Sequence, residues 1–306
     1  MAILNKKTIN KRLRQVIKLA NSLGGSSLKP EELNRQRDIM EKASLLATPT
    51  NGVNIEAFCL GDMKCEIITP DFLSQSKDVI LYSHGGGYTA GGIAYARILA
   101  TKLALSTGLK VYSYEYRLAP EHKYPEALED GLSIYNHLLQ EGCEADHIIL
   151  AGDSAGGNLT LCMTQRLLSQ KMIRPKCLLL FSPWTDMTVS SESYETKKGR
   201  DPILTKEYIM DVRQAYVGDE ADYSLALYSP LFGDFTGFPP TLIQVGKNEI
   251  LLKDSLSLEE RIKAAGSAVK LEIYEEGWHV FQQMPVPEAT TAMEAVGDYV
   301  AKIQYM

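Results

Sequence analysis

Hydrophobic and polar residues alternate along this chain in short blocks. Apolar runs rich in β-branched residues recur at Ile55 to Leu60, Lys64 to Thr69, Val79 to Ser83, Lys110 to Tyr114, His147 to Leu150, Cys177 to Phe181, Thr241 to Val245 and Val269 to Tyr274. Their length and composition predict strands. Stretches of helical periodicity separate most of the later runs, a spacing that fits β-α-β crossovers and parallel pairing. The first two are joined only by Gly61-Asp62-Met63, a hairpin-length link, so the sheet is expected to start with antiparallel character. The pattern predicts an α/β fold built on a mostly parallel eight-stranded sheet flanked by helices. Two segments stand outside the alternation. Residues 1–48 read as two helices broken at Gly24-Gly25 and Pro30, and within residues 187–228 the span Ile203 to Tyr216 has the apolar spacing of a packed helix. The expected division is therefore a core of residues 49–186 and 229–306 carrying two helical additions.

Composition narrows the function classes. A chain of 306 residues with 45% hydrophobic content can bury a large core as one domain with insertions. A net charge of −6, without a basic stripe interleaved with aromatics, argues against a nucleic-acid surface. Lys6-Lys7, Lys11-Arg12 and Arg14 form a basic helix face that reads as solvated, and no stable membrane association is expected. The first residues lack a signal-peptide pattern, and no run of about eighteen apolar residues occurs, so a cytoplasmic location is expected. The five cysteines, Cys59, Cys65, Cys143, Cys162 and Cys177, contain no C-x-x-C pair and read as small hydrophobes in a reducing compartment. No group of His, Cys and carboxylates has zinc-like spacing, so neither metal nor cofactor is expected.

The candidate chemistry centres on Gly152-Asp153-Ser154-Ala155-Gly156, between the run ending at Leu150 and a helical stretch beginning near Asn158. A G-x-S-x-G match can arise by chance in a glycine-containing loop. Its position between strand and helix makes it a candidate nucleophile elbow, where a sharp turn exposes the serine hydroxyl and small neighbours leave room for it.

A serine needs a base, an acid to orient that base, and donors for the oxyanion. Of the five histidines, His137 reads as a helix-surface residue and His147 opens the strand before the elbow. His122 follows a Pro-Glu turn, and His84 ends a strand and leads into Gly85-Gly86-Gly87. His279 lies on the loop Glu276-Gly277-Trp278-His279 beyond the last strand, at the strand ends where the chemistry of an open α/β sheet gathers. It is the expected base. For the acid, Glu249 just past the strand Thr241 to Val245 is favoured. Asp254, about a turn into the following helix and better suited to capping or the surface, is second, and Asp186 is a more distant third. Gly85-Gly86-Gly87 lets the backbone approach closely, so the amides of Gly86, Gly87 and Ala155 are the expected oxyanion donors. A phosphate-binding loop is the rival, but neither G-x-x-x-x-G-K-[ST] nor G-x-G-x-x-G spacing is present. Tyr88 and Trp184 are candidate pocket walls, with core packing the alternative.

These residues resemble the hormone-sensitive-lipase-like branch of the α/β hydrolases, the bacterial family IV esterases. The resemblance rests on His84-Gly85-Gly86-Gly87, Tyr116 to Glu121, Tyr124 to Ala127, Gly152 to Gly157, Ser182 to Asp186, Val245-Gly246 with Glu249, and Trp278 to Phe281. Many relatives carry an Asp-Pro pair where Glu249-Ile250 stands here. The resemblance implies an α/β-hydrolase fold, serine esterase activity on short-chain carboxylic esters, and a helical cap formed by residues 1–48 and 187–228. It further implies that His84 orients the glycine loop; dimers, often through the last strand and helix, are common among relatives, and the residues Ala289 to Met306 leave a homodimer open here. Lactone or amide hydrolysis by the same residues, and a receptor that has lost turnover, are the alternative functions.

Overall fold

A computed structural model describes residues 29–48 and 51–304, together with Leu13 and Gln15. The basic residues Lys6, Lys7, Lys11, Arg12 and Arg14 and the expected break at Gly24-Gly25 lie outside the described residues.

Eight strands form one sheet in the order β1-β2-β4-β3-β5-β6-β7-β8. They are β1 (Val53–Leu60), β2 (Met63–Pro70), β3 (Val79–Ser83), β4 (Lys110–Tyr114), β5 (Ile148–Asp153), β6 (Leu178–Phe181), β7 (Thr241–Gly246) and β8 (Val269–Tyr274). Only β2 runs against its neighbours, pairing antiparallel with β1 and β4, while all other ladders are parallel. The antiparallel start follows from a link too short for a crossover. Small boundary shifts separate expectation from structure. His147 lies in a 3₁₀ turn before β5 rather than in the strand, and Cys177 precedes β6.

The central strands β3, β5, β6 and β7 are buried along their whole length, because helices cover both faces of the sheet. On β5, Ile148 and Leu150 enter one core and Ile149 and Ala151 the other, the two-residue period of a strand. Helices α2 (Ile93–Thr107) and α8 (Pro287–Gln304) pack on one face through Leu99, Leu103, Val296 and Val300. Helices α3 (Glu126–Gln140), α4 (Ala155–Ser169) and α7 (Leu252–Ala264) cover the other through Tyr135, Leu159 and Leu258.

Outside this framework, among the described residues, lie α1 (Pro30–Ala47), α5 (Ser193–Thr196) and α6 (Lys206–Val217). The helix expected from Ile203 begins instead at Lys206. The Thr205 side chain caps it by accepting from the Tyr208 amide at 3.1 Å, while the Asp201 carboxylate holds the amides of Ile203 and Leu204 in a preceding turn. Among the described residues, no helix is long and apolar enough to cross a membrane.

Candidate active site

The chain reverses sharply where β5 meets α4, and Ser154 sits at the bend with φ 53° and ψ −119°. This backbone is costly for a residue with a Cβ, and its neighbours over-determine it. A Cβ on Gly156 would stand 2.0 Å from the Ser83 carbonyl oxygen, and one on Gly152 would stand 2.3 Å from that of Gly156. Only glycine allows the elbow to press this closely on β3. The Ser154 amide donates to the Phe181 carbonyl at 2.9 Å, which fixes the turn against β6.

His279 comes from the loop after β8 and places Nε2 2.9 Å from Ser154 Oγ. Its Nδ1 lies 2.9 Å from Glu249 Oε2, and Glu249 is fully buried just beyond β7. Chain segments 125 residues apart, Ser154 and His279, are thus brought together at the carboxyl ends of parallel strands. Burial pushes the imidazole down, but the hydrogen bond and charge of Glu249, with the charges of Asp201 and Asp153 nearby, outweigh it and hold His279 above its ordinary value.

Glu249 is itself braced. Its Oε1 accepts from the Ser182 hydroxyl at 2.9 Å and the Gly246 amide at 2.5 Å, and Ser182 Oγ accepts in turn from the Val280 amide at 3.1 Å. Ser182 therefore couples the acid to the backbone of the residue after the base. No role was assigned to it from sequence, because its partners lie 67 and 98 positions away.

A family model described by the α/β-hydrolase fold matches residues 80–283. The chain is 34% identical to an esterase of Acinetobacter venetianus over 272 residues, covering 88% of this chain and 89% of that protein. It is 36% identical to an acetyl-hydrolase of Streptomyces hygroscopicus over 229 residues, covering 74% and 76%. Among solved structures, an esterase from the bacterial hormone-sensitive lipase family matches with a TM-score of 0.88 at 31% identity, covering 99% of this chain and 100% of that one. The chain is an α/β hydrolase of the hormone-sensitive-lipase-like branch.

In this hydrolase the loop Gly85 to Gly92 after β3 lies beside the elbow. The Gly85 amide donates to Asp153 Oδ1 at 2.8 Å, and Asp153 also accepts from the hydroxyls of Tyr82 at 2.5 Å and Tyr95 at 3.0 Å. Desolvation raises this fully buried carboxyl, but these three donors work against protonation. His84 bonds through Nδ1 to the Gly85 carbonyl oxygen at 2.7 Å and stacks on Tyr116 at 4.2 Å. Burial lowers it to about 4, so it is a neutral support away from the Ser154 hydroxyl.

The other histidines stand apart. His122 bonds to Glu126, His137 stacks on Phe58, and His147 pairs with Asp78. Glu144 and Asp146 gather near His147, but both are exposed, and His147 is already engaged by Asp78.

One sequence expectation requires correction, and for Tyr88 and Trp184 the core alternative is the one that their burial matches. Asp254 is neither a surface residue nor a cap of its own helix. It is 1% exposed, and its Oδ2 accepts from the amides of Thr185 at 2.9 Å and Asp186 at 3.2 Å, bracing the segment after β6. Desolvation raises it to about 8. Tyr88 and Trp184 are packed core rather than exposed pocket walls, each 1% exposed. The Tyr88 hydroxyl donates to Asn158 Oδ1 at 2.7 Å, and the Trp184 indole N–H donates to the Asp186 carbonyl oxygen at 3.2 Å. Asp186, the third candidate acid, spends its carboxylate on Thr188 and Ser190.

Helix α6 lies over the glycine loop. A Cβ on Gly87 would meet the Tyr208 hydroxyl at 3.1 Å and Val212 at 3.2 Å, and Tyr216 stacks on Tyr88 at 3.7 Å with the rings 3° from parallel.

Proposed function

We propose that this hydrolase is a serine carboxylesterase acting on short-chain carboxylic esters through an acyl-enzyme. The carrying observation is the continuous chain of hydrogen bonds Ser154–His279–Glu249, 2.9 Å at each step. His279 takes the hydroxyl proton as Ser154 attacks the ester carbonyl. The amides of Gly86, Gly87 and Ala155 receive the developing oxyanion. Glu249 holds the imidazole with Nδ1 protonated, so that Nε2 faces the serine, and offsets the charge that forms on it. The tetrahedral intermediate collapses as His279 gives its proton to the departing alkoxide. Water then attacks the acyl-enzyme with the same base, releasing the carboxylic acid and restoring Ser154.

Helices α1 and α6 act as a cap. The contacts of α6 with Gly87 and Tyr88, and of Arg37 in α1 with the Thr89 carbonyl, support this role, and a cap there would exclude water from the oxyanion and limit the substrate. The esterase and acetyl-hydrolase relatives support an ester with a small acyl group. Five free cysteines fit a cytoplasmic location.

A panel of p-nitrophenyl esters of increasing acyl length, lactones and anilides tests the reading, together with a serine-directed phosphonate. The expected result is kcat/KM highest for short esters and one phosphonate bound at Ser154. Lactones outpacing every ester would replace the substrate class. Absence of both ester turnover and phosphonate labelling would overturn catalysis.

A further inference from the structure

Gly86, Gly87 and Tyr88 adopt φ of 108°, 63° and 62° in succession. A tyrosine in this region is strained and persists only where its surroundings hold it. The turn is closed locally by the Thr89 and Ala90 amides, which donate to the Gly86 carbonyl oxygen at 3.1 and 3.0 Å. Its upstream end is fixed by Asp153 on the Gly85 amide. The downstream end is fixed from helix α1, which belongs neither to the sheet nor to the helices that cover it.

Arg37 of α1 donates from Nε to the Thr89 carbonyl oxygen at 2.7 Å and from Nη2 to the Ala119 carbonyl oxygen at 2.8 Å. The Ala119 amide donates back to the Tyr88 carbonyl oxygen at 2.8 Å, so one guanidinium ties the glycine turn to the segment it already touches. Nη1 and Nη2 also form a two-point pair with Glu121 at 2.9 and 2.8 Å, and Nη1 donates to Asn34 Oδ1 at 3.3 Å. Glu121 is 48% exposed, so solvent screens this pair and the hold on the loop rests on the two carbonyls. One helical turn along α1, Glu41 accepts from the Ala94 amide at 2.7 Å and the Tyr95 amide at 3.3 Å, capping α2 where the glycine loop ends. The Tyr95 hydroxyl leads back to Asp153. Both ends of the loop are thereby held, and α1 supplies the downstream hold.

We propose that Arg37 is a positioning residue for the oxyanion donors, acting through the Thr89 and Ala119 carbonyls to fix the amides of Gly86 and Gly87. The inference rests on the reading of those amides as oxyanion donors. It gives α1 a part in holding the catalytic apparatus besides its place in the cap. A guanidinium is needed because its planar fork spans the two carbonyls at once, which a single ammonium does not match.

The test compares the full-length wild type with Arg37→Met, Arg37→Lys and Glu121→Gln in three readouts. These are steady-state hydrolysis of a short p-nitrophenyl ester, inhibition by an arylboronic acid that forms a tetrahedral adduct on serine, and amide hydrogen exchange across residues 85–92 and 148–153. For Arg37→Met, kcat should fall about tenfold to hundredfold with KM within about threefold, short of losing an oxyanion donor outright. Boronate affinity should fall in parallel, and exchange should quicken in 85–92 while 148–153 stays protected. Arg37→Lys should recover part of kcat, and it carries the comparison if the methionine variant does not fold. Glu121→Gln should stay within about threefold of wild type, as expected for an exposed pair. Wild-type kcat and wild-type exchange in Arg37→Met would overturn the proposal. So would uniformly faster exchange with kcat falling only as the folded fraction falls. A wild type that hydrolyses no ester would defeat the esterase reading instead, and exchange across 85–92 would still decide whether Arg37 holds the loop.

Discussion

Ser154 and its two partners act as one unit, so their substitutions should be non-additive. Replacing Ser154 with Ala should lower kcat by about a thousandfold or more and abolish phosphonate labelling, read by intact-protein mass. Glu249→Gln should cost about a hundredfold to ten-thousandfold, because the amide no longer favours the required tautomer or the imidazolium. Asp254→Asn should cost far less, since Asp254 serves the Thr185 and Asp186 amides rather than His279. The reverse order would reassign the acid. The pH profile gives an independent check. His279 works as a base only when neutral, and Glu249 holds its pKa above the ordinary 6.5. The acidic limb of kcat/KM should therefore lie above that value in the wild type and move to lower pH in Glu249→Gln. A limb that does not move would remove Glu249 from contact with the base.

At the scale of elements, the site depends on how closely β3, the elbow and the loops after β6 and β7 approach one another. Ser182→Ala leaves the Val280 amide without its acceptor and Glu249 Oε1 with one donor fewer, a loss of about 1–3 kcal/mol for a buried group. We expect kcat to fall about tenfold with KM nearly unchanged, as the acid and base lose their mutual alignment. Steady-state kinetics of a variant with wild-type circular dichroism would show it; unchanged kcat would make the bridge dispensable. Tyr216→Ala removes the ring stacked on Tyr88 and should cost about 3 kcal/mol or more in denaturant unfolding. If α6 is a cap, it should also change the ranking of acyl lengths in the ester panel. Unaltered ranking would make α6 a support with no say in specificity.

For the whole molecule, stability against pH reports the buried carboxyl of Asp254. Burial raises it to about 8 from an ordinary 3.8, and its Oδ1 has no hydrogen-bond partner among the described residues, as suits a neutral acid. A group raised on folding stabilises fully below its unfolded pKa, and that contribution is lost as pH rises through the folded pKa. The melting temperature should therefore decline from about pH 4 through about 8 in the wild type, and the decline should flatten in Asp254→Asn. Equal slopes in the two proteins would show that Asp254 is ionised when folded.

The sequence by itself determined the sheet, its antiparallel start, the elbow at Ser154 and the positions of Glu249 and His279 at strand ends. Each of these is written in local pattern: a two-residue period, a short link, small residues around a turn, polar residues directly after an apolar run. Only the tertiary structure decided what those residues rest on. Ser182 beneath Glu249, Asp153 beneath Gly85, and Arg37 against Thr89 and Ala119 act across 67, 68, 52 and 82 residues of chain. No periodicity encodes such pairings. Burial was equally hidden for Asp254, whose place in an amphipathic helix is the same whether solvent or the Thr185 backbone faces it. Local pattern sets the strands and turns, whereas the partner of a buried polar group is fixed only when distant segments pack and leave it one donor to meet.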